Sequence, residues 1–197
     1  MPDQPFHHGN LRAVLLDQAQ AVLRKRGIDA LSLRELAREA GVSHGAPRNH
    51  FIDRGALLDA LAERGFIRLA DEIREAASHA PDDYARALHA AGSAYVRFAV
   101  RDSALLDLMF AAKADDPSEP VRSAAERLYG TMTDIMSAGV EAGGYDPRDV
   151  GRLTLVLAAT VQGISALVSS RRITTAESEA LIDDAITLFL AGASTKR

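Results

Sequence analysis

The chain has 197 residues, a formal net charge of −4, only 5% aromatic residues and no cysteine. A chain of this length can bury a substantial core in one or two domains. The missing cysteines exclude disulfides, thiolate metal sites and a thiol nucleophile and suit a reducing cytoplasm, and no charged n-region leads into an apolar core at the N-terminus, so no secretory signal is expected.

The charge is uneven. Residues 1–66 hold nine Arg or Lys against eight Asp or Glu, with four of the six His, and the acidic excess lies in the remainder. A nucleic-acid partner would therefore meet a local basic patch and not a field spread over the whole chain.

Residues 1–9 contain two Pro and no periodicity, which predicts a mobile arm. His7 and His8 have no companion at metal-ligating spacing and read as exposed polar side chains. Asn10 can cap a first helix whose stripe is Leu11, Val14, Leu15, Ala19, Val22 and Leu23. Arg24, Lys25 and Arg26 suit its C-terminal end, and Gly27 stops it.

Residues 32–51, SLRELAREAGVSHGAPRNHF, carry the most information. Ser32 and Glu35 form a capping box over two orphan N–H groups, and Leu33, Leu36, Ala37 and Ala40 give the helix one apolar stripe. Gly41 allows the left-handed stop of a tight turn. Ser43 can cap a second short helix carrying His44, Gly45, Ala46, Arg48, Asn49 and His50. Two short helices around such a turn make a helix-turn-helix, whose second helix can enter the major groove of DNA. Small residues at 45 and 46 let it lie close to the groove. Arg48 can read guanine, while Asn49 or His50 can bond base edges or phosphate. Pro47 removes a backbone donor about a turn into this helix and makes its start irregular. The competing reading is a polar surface hairpin between core helices.

A long helix is expected over 53–79, capped by Asp53, with Leu57, Leu58, Leu61, Phe66, Leu69, Ile73 and Ala77 on its stripe. Arg54 stands in its first turn, where a cation opposes the helix dipole unless an anion such as phosphate meets it. Pro81 opens the next helix, with Tyr84, Leu88, Ala91, Tyr95 and Phe98 inward. A short apolar piece at 105–110 leads to a loop at 113–119. A helix then runs to Gly143-Gly144, and Asp146-Pro147 reads as cap and first position of another reaching about Arg172. Thr174 and Glu177 make a second capping box before the last helix, which Gly192 stops. The fold class is all-α, about nine helices: a three-helix DNA-binding domain over 1–52, including the arm, and a second helical domain over 53–197, to which the family resemblance given below assigns effector binding and dimerisation.

Residues 153–170 carry no charge, which reaches the length of a marginal membrane span. Thr154, Thr160, Gln162, Gly163, Ser165, Ser169 and Ser170 interrupt it, so burial against protein is the better reading, with no membrane partner. With the final helix it would form the four-helix interface of a two-fold homodimer; the alternative is the core helix of a monomer. An enzyme on a helical bundle fares poorly, because metal-ligand spacings, a Gly-rich phosphate loop and a nucleophile elbow are all absent. A helical protein-interaction adaptor that does not bind DNA is the remaining alternative.

The first 66 residues resemble the TetR family of bacterial transcriptional regulators. The likeness rests on SLRELAREAGVS, on His50-Phe51, and on Arg54 followed by Ala56-Leu57-Leu58, where the family usually has Lys. HHGNLR and VSHGAPRNHF are similar to the subgroup whose C-terminal part is called the WHG domain. The sequence departs from that subgroup in having no Trp and in carrying Gln162-Gly163 where His-Gly is usual, and Arg48 replaces a common Tyr. The resemblance implies a homodimeric repressor without a cofactor, bound as dimer to a near-palindromic operator in double-stranded DNA. It places DNA contacts at Ser43, His44, Gly45, Ala46, Pro47, Arg48, Asn49 and His50, with phosphate contacts at Ser32 and Arg54. It also implies a pocket in the later helices, for which Tyr95, Phe98, Met109, Phe110, Tyr129, Met132, Met136 and Gln162 are the expected lining. The low charge on those faces favours an apolar or weakly polar small-molecule effector, whose binding would shift the long helix that begins near residue 53.

Overall fold

Apolar residues at three- and four-residue steps build eight α-helices in a computed structural model that describes residues 11–114 and 116–193. They are α1 (Leu11–Arg26), α2 (Leu33–Glu39), α3 (Arg54–Ser78), α4 (Tyr84–Arg101), α5 (Ser103–Ala114), α6 (Glu119–Glu141), α7 (Val150–Ser169) and α8 (Thr175–Ala193). The expected ninth helix is a 3-10 turn at Ala46–Asn49. The expected arm, its paired histidines and the Asn10 cap lie outside the described residues.

Helix ends follow local chemistry. Asp83, not Pro81, starts α4, because its carboxylate accepts the Arg86 N–H at 3.0 Å and satisfies an orphan donor. Thr174 and Glu177 exchange both bonds of their box, Thr174 N to Glu177 Oε2 at 2.7 Å and Glu177 N to Thr174 Oγ1 at 3.2 Å. The backbone bonds also pull the exposed Glu177 carboxyl below its ordinary range. α7 stops at Ser169, before the expected Arg172, because Arg171 takes the left-handed conformation (φ +58°) that closes a Schellman turn.

The chain divides into two compact units, and the division is not at residue 52. Among the described residues, the first holds those up to Gly65 together with those of 104–122; the second holds Phe66–Ser103 and those of 123–193. The reason lies in packing. Leu57 and Leu61 of α3 are buried with the first unit, and Met109 and Leu105 sit over Gly65, where a Cβ would run into the Met109 sulfur. α3 therefore contributes to both units.

In the first unit α2 packs on α1 and on the 3-10 turn. In the second, α4 packs against α7 and α8, which also pack on each other. Gly92 leaves room for Ile182 and Ile186 of α8. Asp102 is 3% exposed between Arg68 at 2.5 Å and Arg101 at 2.8 Å, and both guanidinium groups lie over the buried Phe98 ring. A buried carboxylate needs such partners, since uncompensated charge in the interior is strongly unfavourable.

One stretch, Pro147–Ser169, is long and apolar enough by length and composition to cross a bilayer, yet only 28% of its most apolar window is buried within the chain. Leu155 and Val156 on α7, and Leu181 and Leu188 on α8, face outward.

Candidate nucleic-acid interface and effector cavity

The interface begins with a helix cap. Ser32 Oγ accepts the Glu35 N–H at 3.1 Å, as its position implies. The reciprocal half of the expected box gives way to an ion pair: the Glu35 carboxylate turns to Arg38 at 2.7 Å, which holds its pKa down. Gly41 has φ +66°, and Gly41 N to Arg38 O (3.3 Å) with Val42 N to Ala37 O (3.0 Å) completes a Schellman stop. Only a residue without Cβ adopts that angle freely.

The next element is shorter than expected. Ala46–Asn49 form a single 3-10 turn with Gly45 at its N-cap, and the Ser43 side chain makes no cap there. Pro47 explains both the late start and the brevity. It has no N–H to extend a helix backwards, and its carbonyl instead accepts from His50 N (3.0 Å) and Phe51 N (2.9 Å). Pro47 itself is buried and anchors the turn. Phe51, 2% exposed and lying under the Arg12 guanidinium at 5.5 Å, is the second anchor.

Around these anchors Ser43, His44, Gly45, Arg48, Asn49 and His50 are exposed and Ala46 is half-buried. Ile52, 82% exposed, adds a large apolar side chain beside them. Among the described residues Arg48 meets no carboxylate, whereas Arg64 pairs with Asp17 at 2.5 Å and Arg38 with Glu35. Arg54, expected at a phosphate, is engaged within the chain. Its Nε donates to Leu31 O at 2.9 Å and its Nη2 to Ile28 O at 2.6 Å, tying the start of α3 to the segment between α1 and α2. A first-turn cation is thus satisfied by carbonyl dipoles without a phosphate. Arg34, in the first turn of α2, is exposed and has no such partner among the described residues. Sequence reasoning passed over it, although the signal was the one that singled out Arg54: a cation against a helix dipole.

The second site is a cavity in the second unit. Ile73 of α3, Leu88, Gly92 and Tyr95 of α4, Met132, Ile135 and Met136 of α6, and Thr154, Leu157 and Val161 of α7 line it. Its free space is about 30 Å³, room for a water or two. Near the N-terminal end of α4, Tyr145 Oη donates to Met136 O at 2.6 Å and meets the Tyr84 hydroxyl, with the two rings edge to face at 6.2 Å. Gly139 makes room for both rings, and burial pushes both hydroxyl pKa values up. Of the expected lining residues, Tyr95, Met132 and Met136 reach the cavity. Gln162 is on the exposed side of α7, close enough to influence the Tyr95 hydroxyl. The others lie elsewhere. Phe98 is core beneath two arginines, Met109 and Phe110 are on α5 in the first unit, and Tyr129 is 40% exposed. Bulky apolar residues mark core and cavity alike, so their periodicity could not separate the two.

A partner-poor polar turn on a helix-turn-helix, joined by a shared helix to a helical unit with an apolar cavity, defines a ligand-responsive DNA-binding regulator. Residues 15–61 match the family model for bacterial regulatory proteins of the tetR family, and residues 88–189 match that for the tetracyclin repressor-like C-terminal domain. The chain belongs to the TetR family of transcriptional regulators, which bind DNA and dimerise. It is similar to a Rhodococcus sp. RHA1 protein of unknown function at 41% identity and TM-score 0.90, covering 98% of this chain and 100% of that one. A second Rhodococcus RHA1 structure, a bacterial regulatory protein in the tetR family, matches at 20% identity and TM-score 0.72 over 96% of this chain and 100% of that one. The fatty acid degradation regulator FadR from Bacillus halodurans shares the fold at 17% identity and TM-score 0.70, with both chains covered fully at 100%. No curated protein matches the sequence.

Proposed function

We propose that this regulator is a cytoplasmic homodimeric repressor, released from a near-palindromic operator by a small-molecule effector. The observation that carries the reading is the set of exposed, partner-poor side chains, Arg48 foremost, displayed on a turn anchored by buried Pro47 and Phe51. His44, Arg48 and Asn49 face base edges in this reading, and Ser32, Arg34, Ser43 and His50 face the backbone, with Gly45 and Ala46 permitting close approach. Arg54 positions the α3 start and is at most a secondary phosphate contact.

Two-fold symmetry would set the paired turns about 34–36 Å apart, one turn of B-DNA. The apolar outward residues Leu155, Val156 and Leu188 support an interface through α7 and α8, with a second copy in place of lipid. An effector in the cavity would act through α3, which is one helix of 25 residues belonging to both units. To release DNA it must bind the non-operator geometry more tightly, since equal affinity shifts nothing. A gel shift on DNA upstream of the gene, repeated at rising salt, tests the reading. Sequence-selective binding that weakens steeply with salt is the expected result, and binding that is indifferent to sequence would overturn it.

A further inference from the structure

We infer that the effector is a compact, uncharged, mainly apolar molecule carrying one hydrogen-bond acceptor, which it presents to the Tyr95 hydroxyl. The inference rests on reading the cavity between α4, α6 and α7 as the effector site. Carbon and sulfur make up most of its wall, and among the described residues no Asp, Glu, Lys, Arg or His lines it. An ionised ligand would lose its water there without gaining a counter-charge.

Two hydroxyl residues line the cavity. Thr154 Oγ1 already donates to Val150 O at 2.8 Å. Tyr95 Oη does not: the residue is 3% exposed and, among the described residues, no acceptor lies in hydrogen-bonding geometry to its hydroxyl. Gln162 lies near enough to favour the phenolate slightly, but burial outweighs it and pushes the pKa up to about 12, so the hydroxyl keeps its proton. A buried donor without an acceptor is uncommon and unfavourable, and a ligand acceptor at that point removes the deficit. The limited free space adds a size condition. Anything larger than a water or two must move side chains, and Met132 and Met136 are the adaptable ones, each with three rotatable bonds.

Three molecules of one shape separate the terms: acetophenone, neutral with a carbonyl acceptor; α-methylstyrene, neutral with none; and benzoate, ionised. Calorimetric titration of the full chain without DNA is expected to show acetophenone binding about tenfold more tightly than α-methylstyrene, with benzoate weakest. In Tyr95→Phe, which keeps the ring and its packing, the two neutral ligands should bind alike, and the free protein should melt no lower than wild type. Equal binding in wild type, a preference that survives Tyr95→Phe, tightest binding of benzoate, or no binding of any of the three would each overturn the inference. If the expected pattern holds but acetophenone leaves operator binding unchanged, the inference about the cavity stands and the release mechanism falls.

Discussion

The turn at residues 43–50 and the cavity of the second unit are inverse designs. The turn shows polar side chains to solvent and hides one proline and one phenylalanine to hold them there. The cavity surrounds a single unpartnered hydroxyl with carbon and sulfur. In both places the residue that breaks the local rule shapes the site: a buried proline in a polar segment, a polar atom in an apolar wall. Anchoring and display fall to different side chains, so a displayed residue can be removed without disturbing its anchors.

Phe51→Ala should produce the largest effect. Truncating a buried Phe costs about 3–5 kcal/mol, so urea denaturation should show a large loss of stability accompanied by loss of DNA binding. Arg48→Ala is the reverse case. It should leave the urea midpoint unchanged and weaken operator binding by about 1–3 kcal/mol, with relaxed preference at one base position if the guanidinium reads a base. If Arg48→Ala instead destabilised the free protein, the division between anchors and readers would fail.

The paired first-turn arginines sharpen the same division. Arg54→Ala removes two charge-assisted bonds to carbonyls and should cost about 1.5–3 kcal/mol of stability with little change in the salt dependence of DNA binding. Arg34→Ala should do the opposite, sparing stability and lowering the salt slope by about 1.8, which is about 0.9 for each copy in the dimer. Measured slopes that reverse this order would return Arg54 to the phosphate contacts and remove Arg34.

The smallest effect is expected in the cavity. Tyr95→Phe removes a donor that has no acceptor, so stability near neutral pH should change by less than about 1 kcal/mol. The difference should appear in alkali. The unfolded tyrosine loses its proton near its ordinary pKa of 10.0, while burial holds the folded one up to about 12. The folded state then binds the extra proton, so stability falls as pH rises through that window. Wild type should lose stability over it more steeply than Tyr95→Phe in thermal melts.

These contrasts also show what the sequence made legible. Ser32, Gly41, Asp53 and the Thr174–Glu177 box could be read directly, because caps and stops depend on residues within a few positions of one another. Asp53 Oδ1, for example, accepts the Ala56 N–H at 2.8 Å as expected. The second helix shrinks to one turn at Pro47, because how far a proline shortens a helix depends on whether its ring is buried, as it is here, and spacing does not reveal that. The role of Arg54 depends on carbonyls 23 and 26 residues away, which no local pattern reveals. The division of α3 was hidden for a similar reason: a continuous apolar stripe does not announce that its two halves serve different units. Tyr95, Met132 and Met136 stand out in the sequence by size and polarisability. Gly92, Thr154 and Leu157 do not, since small and aliphatic residues look the same in a solid core as around a cavity.

The central claim is that the anchored turn reads DNA as one of a symmetric pair. Selection of bound fragments from a random DNA pool tests it most directly. The expected result is enrichment of inverted half-sites whose centres lie about 10–10.5 base pairs apart, or a whole multiple of that. Recovery of fragments with no shared motif, or of direct repeats at no fixed spacing, would contradict it.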